Sequence, residues 1–88
     1  MIPKRIVYIL QKTHNNHSLN VLYTHNLKTV LSEYNVKLNE AIQPDNYIEQ
    51  WTGGEFFNVN TQGCSILNQF VITMEEHKTV WTVLEQVS

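Results

Sequence analysis

His14-x-x-His17 places two imidazoles within four residues, and His25 and Cys64 add donors of the type that bind zinc. Zinc takes three or four nitrogen, sulfur or carboxylate ligands in a tetrahedron. A hairpin tip with His14 and His17 side by side supplies two of them, and no CxxC or zinc-finger spacing supplies the rest. The expectation is no metal and no cofactor, with the two histidines on a solvated turn. For nucleophilic catalysis the candidates are Cys64 with His77 or His25, and Ser65 beside it. A reactive thiolate needs an electropositive setting and an oriented base, whereas Gly63-Cys64-Ser65 falls at the start of an apolar run, so a packed thiol is expected. Paired-carboxylate chemistry would use Glu75-Glu76 or Glu49 with Glu55, but neighbouring acids on a turn form a solvated face. Gly53-Gly54 lacks the downstream Lys-Ser/Thr of a phosphate loop. Together these predict a protein that is not an enzyme.

The charges suggest binding instead. Six cations against eight acids give −2, too little positive charge to hold nucleic acid by counterion release over the whole surface. The distribution is uneven. Residues 1–28 carry Lys4, Arg5, Lys12 and Lys28 with no acid, +4; residues 29–88 carry Lys37 and Lys78 against eight acids, −6. The second part also holds Trp51 and Tyr47 beside Glu40, Asp45, Glu49 and Glu55. Tryptophan and tyrosine dominate interface energetics, so these six residues form a candidate protein-binding patch suited to a partner with a basic groove, such as a nuclease channel. The alternative site is for nucleic acid: Lys4, Arg5 and Lys12 as phosphate contacts, with Tyr8 and Tyr23 as stacking platforms.

The elements that must position these residues follow from hydrophobic period. Arg5 to Lys12 and Ser18 to Thr24 are short apolar runs rich in β-branched and aromatic residues, the signature of strands. Asn15-Asn16 between them suits the positive φ of a tight hairpin. That turn would set His14 opposite His17, Leu10 opposite Val21 and Tyr8 opposite Tyr23. From Asn26 the period changes: Leu27, Val30, Leu31, Tyr34 and Leu38 make one stripe of an amphipathic helix, capped by Asn26 or Thr24 and running to Ile42 before Pro44. Residues 44–52 fit either a helical turn or a hairpin arm. Glu55 to Thr61 reads as a strand with a turn at Gln62-Gly63. Ile66 to Met74 reads as a strand with Ile66, Phe70, Ile72 and Met74 on one face and Asn68 as the exception. The tail offers both a capping box at Thr73 to Glu76 with helical spacing of Val80, Trp81, Leu84 and Val87, and a β-branched run, Thr79-Val-Trp-Thr-Val. The balance favours a strand, with Trp81 opposite Ile72 and Val83 opposite Phe70.

These pieces sum to one α+β domain over 1–88, an antiparallel sheet of four or five strands with the 26–42 helix on one face. A chain of 88 residues has no material for a second core. One cysteine permits no intrachain disulfide and fits a reducing, cytoplasmic compartment; no signal peptide or membrane span is expected. Asparagine and glutamine fill 16 of 88 positions while charged residues are only 16%, so neutral amides replace much of the ionic surface.

In layout, a short, Lys-over-Arg, Asn-rich chain running strand, strand, helix, strands without a catalytic motif resembles small accessory proteins of bacteriophages. That resemblance implies a non-enzymatic inhibitor, anti-CRISPR or otherwise anti-defence, that occludes a host protein or nuclease complex in the host cytoplasm. The rivals are the nucleic-acid module and a self-assembling subunit, a homodimer joined through an unpaired sheet edge or the Trp81 strand.

Overall fold

Asn15 and Asn16 both adopt positive φ, 49° and 70°, the pair of left-handed conformations that a two-residue hairpin turn requires and asparagine tolerates. They join β1 (Ile6–His14) to β2 (His17–Thr24) in a computed structural model that describes residues 5–42, 47–52, 64–74 and 77–87. Next comes α1 (Leu27–Ala41), then β3 (Tyr47–Thr52), β4 (Cys64–Met74) and β5 (His77–Val87). The strands form one antiparallel sheet in the order β2-β1-β5-β4-β3. The fold is α+β, with α1 packed on one face against β1, β5 and β2.

The helix starts where Asn26 accepts a hydrogen bond from the Lys28 amide, and Thr24 Oγ1 accepts from the Asn26 amide, so both capping candidates are used, one at each step of the entry. It ends at Ala41, with the Ile42 amide donating to the Leu38 carbonyl. Val30, Tyr34 and Ala41 of the expected stripe are buried, with Leu31 and Leu38 packed beside them; Leu27 and Ile42 at the two ends remain exposed. The stripe meets Leu10, Phe70, Trp81 and Val83 from the sheet, and Tyr34 meets Phe70 edge to face at 5.3 Å.

Two β-bulges redirect side chains. The hairpin register holds from His14↔His17 to Gln11↔Asn20, then shifts to Leu10↔Leu22, leaving Val21 as the extra residue. Tyr8 therefore pairs with Thr24, and Tyr23 with Ile9, not with each other. The second bulge leaves Leu67 extra between Ile66↔Leu84 and Asn68↔Val83. Ile66 thus packs with Ile9 and Leu84 in a small cluster on the face away from α1, while Phe70 and Ile72 join the helix-side core. The expected single face from Ile66 to Met74 is split by an inserted residue, which reverses the alternation.

Residues 44–52 resolve in favour of an extended arm, as far as they are described: β3 pairs with β4 from Tyr47↔Thr73 to Thr52↔Asn68. The tail is a strand, but the β4–β5 register is tighter than expected. Met74 pairs with His77, so Trp81 lies opposite Phe70, Ile72 opposite Thr79 and Val83 opposite Asn68. β5 sits in the middle of the sheet with Val80 to Leu84 all buried. A strand covered on both faces loses its period of two, so the helical spacing of its apolar residues carried no information. The strand expected at Glu55 to Thr61, its turn at Gln62-Gly63, and Gly53-Gly54 lie outside the described residues.

Candidate functional site

The central position of β5 leaves β2 and β3 as the edges, with backbone donors and acceptors unpaired on their outer sides among the described residues. On β3, Ile48 packs toward the helix-side core, so Tyr47 and Glu49 alternate to the other side. Tyr47 is 64% exposed and Glu49 is exposed as well. Trp51 holds the next position of the same parity, opposite Gln69. Glu40 does not join them by parity: it stands in the last turn of α1, in the helix layer, its carboxylate 3.8 Å from Lys37 Nζ. Asp45 and Glu55 lie outside the described residues. The six-residue patch thus contains a strand-borne pair, Tyr47 and Glu49, and a separate helix-borne acid.

The alternative basic site is dispersed. Tyr8 is half-buried against the helix-side core, whereas Tyr23 is 61% exposed and pairs with Ile9 of the opposite cluster. The bulge at Val21 puts the two rings on different faces, so they form no joint platform. Lys12 reaches over the Trp81 ring, 5.4 Å from its centroid. Lys4 lies outside the described residues. Arg5 remains at an open groove of about 520 Å³ with Ile6, Tyr8 and His25. There His25 Nδ1 donates to the Ile6 carbonyl oxygen at 3.0 Å, which leaves Nε2 as the imidazole's second polar atom.

His14 and His17 do face each other, and His14 also meets His77, which the local sequence does not bring near. The His14 and His77 rings stack at 5.8 Å, and Asn15 Nδ2 lies 3.4 Å from both His14 Nε2 and His77 Nδ1. An amide nitrogen only donates, so both ring nitrogens accept; the His14 proton then sits on Nδ1, 2.9 Å from Thr79 Oγ1, which accepts it. The signal for this cluster is non-local: it arises because β1 pairs with β5, setting His14 opposite Thr79. Among the described residues no group of three or more His, Cys, Asp or Glu could hold a metal ion.

Cys64 is a free, half-buried thiol beside Ile66, Ile9 and Leu84. It pairs with Gln86, near the end of β5, while His77 begins that strand. The nine residue steps from His77 to Gln86 span about 30 Å at strand rise, so this thiol and this base cannot meet. On the same sheet face Gln69 Nε2 donates to Thr82 Oγ1 at 2.9 Å; both side chains are buried, and Gln69 Oε1 has no hydrogen-bond partner among the described residues. No described helix is long and apolar enough to cross a membrane.

With this geometry in place, the chain matches no family model, and no curated protein or solved structure is similar to it.

Proposed function

We propose that the chain is a non-enzymatic protein-binding module whose contact surface is the β3 edge, acting by stoichiometric occlusion of its partner. The observation that carries this reading is Tyr47, a large amphipathic ring 64% exposed on an edge strand, with the exposed carboxylate of Glu49 two residues on. An open strand edge offers main-chain hydrogen bonds to a partner, and alternate side chains supply specificity. An aromatic anchor beside an acid suits a partner whose groove is basic. The resemblance in layout to bacteriophage accessory proteins supports a host nuclease or defence complex as the partner class, met in the cytoplasm.

The test is a tagged capture from host-type lysate, with and without nuclease treatment, using the intact chain and its Tyr47→Ala and Glu49→Lys variants. A stoichiometric protein that survives nuclease and is lost with either variant supports the reading; at a hot spot each change weakens binding about 30-fold. Equal capture by all three chains removes β3 as the surface. Recovery of nucleic acid alone, with a steep salt dependence, would instead favour the groove at Arg5, Tyr8 and His25.

A further inference from the structure

The other sheet edge has a different chemistry. β2 spans eight residues, His-Ser-Leu-Asn-Val-Leu-Tyr-Thr, with no Lys, Arg, Asp, Glu or Pro. It is exposed at six of them, among which Leu19 is 65%, Val21 46% and Tyr23 61% accessible. Edge strands in monomeric proteins are ordinarily blunted by charge, proline, shortness or a bulge, since an open uncharged edge is a template for another strand. Of these devices β2 has only the bulge at Val21.

We propose that two copies of the chain pair through β2, antiparallel and two-fold symmetric, joining their five-stranded sheets into one of ten strands. The unpaired backbone groups call for a strand, and three features select a second copy of this one. First, β2 against β2 brings together two neutral strands, whereas β3 against β3 would bring together two copies of Glu49, and like charges across strands are destabilising. Second, the aromatic at this edge is held in place before any contact forms: Gln11 Nε2 donates to Asn20 Oδ1 at 3.2 Å, and Asn20 Nδ2 donates to Tyr23 Oη at 2.6 Å. A side chain already ordered loses less entropy on association. Third, the contact closes. Once the two β2 edges have met, the remaining edges are both β3, each bearing Glu49, so the assembly stops at two.

Geometry adds one constraint. A two-fold axis that relates neighbouring antiparallel strands of a continuous sheet runs normal to that sheet, so both α1 helices lie on the same side. The bulge at Val21 shortens the ladder, so the dimer dissociates on dilution.

Sedimentation equilibrium of the full chain over a wide concentration range tests the proposal, with Val21→Lys and Tyr23→Lys as edge variants and circular dichroism melts to verify that each is folded. The expected result is a monomer–dimer equilibrium whose dissociation constant rises at least ~10-fold in either variant, as charge at an edge opposes pairing, and is unchanged in Glu49→Lys. Amide exchange in β2 of the unsubstituted chain should slow as concentration rises. A folded chain that stays monomeric throughout overturns the proposal, as does a dimer insensitive to both β2 changes. Growth beyond two copies overturns the closure.

Discussion

The ammonium of Lys12 on β1 lies 5.4 Å from the centroid of the Trp81 ring on β5, and Lys37 of α1 lies 5.6 Å from the same centroid. One indole therefore ties the sheet to the helix through two cations, with Phe70 stacked alongside at 6.5 Å. An exposed cation–π contact is worth about 0.5–1 kcal/mol, and two like charges sharing one ring offset part of that. Replacing Lys12 by Met keeps the apolar stem and removes the charge. Urea unfolding should show a loss under about 1 kcal/mol for Lys12→Met, and the double change Lys12→Met/Lys37→Met should depart from additivity. A strictly additive cycle would mean that the two ammoniums do not act on the same ring.

At the hairpin tip the prediction concerns backbone conformation. Asn16 has φ of 70° and Asn15 has φ of 49°, but only Asn15 also bonds to the His14 and His77 rings. Asn16→Gly should therefore be neutral or slightly stabilising, since Asn-Gly is the preferred sequence of this turn. Asn16→Val should cost about 1–2 kcal/mol, because a β-branched residue is strained in the left-handed region. Thermal melts of the two variants decide this; equal melting temperatures would contradict the turn geometry.

What could be read from the sequence was what local period and turn chemistry control: the β1–β2 turn, the α1 stripe with its cap, and the strand character of β4. What could not be read depends on partners distant in the chain. The bulges at Val21 and Leu67 leave no mark in residue type, yet each moves a side chain to the opposite face, separating Tyr8 from Tyr23 and Ile66 from Phe70. β5 was ambiguous because burial on both faces erases alternation. Its central place also means that the Trp81 strand is not an unpaired sheet edge. Of the acidic and aromatic patch, Tyr47 and Glu49 stand two apart on β3, in a segment whose sequence fits a helical turn as well as a strand, whereas Glu40 belongs to the helix layer, a separation set by the tertiary fold.

Alkaline stability should depend on Tyr34. Its ring is buried between α1 and Phe70, and burial pushes its phenol up from 10.0 to about 12. The unfolded chain then ionises first. Below pH 10 the stabilisation is complete; it is lost progressively from about pH 10 to about pH 12, a loss on the order of 2–3 kcal/mol. Tyr34→Phe should flatten this part of the stability–pH curve. Denaturant unfolding at several alkaline pH values, with tyrosinate absorbance followed in parallel, would show whether the loss belongs to this residue. An identical slope in Tyr34→Phe would assign it elsewhere.

The buried pair on the face away from α1 gives the sharpest test of packing. Gln69 and Thr82 sit opposite each other in β4 and β5, both 1% exposed, joined by one hydrogen bond with Gln69 Oε1 left without a partner among the described residues. Thr82→Val removes the acceptor of the one side-chain hydrogen bond that the Gln69 amide makes among the described residues, leaving it with buried, unpaired polar atoms at a cost of about 1–3 kcal/mol. Gln69→Met in the same chain removes the stranded amide, and an apolar pair of similar volume is close to neutral by comparison. Gln69→Met/Thr82→Val should thus be more stable than Thr82→Val alone, although it carries one more substitution. Urea unfolding of the single and double variants reads this directly. If the double variant proves the less stable, the amide is contributing more than its one visible hydrogen bond accounts for.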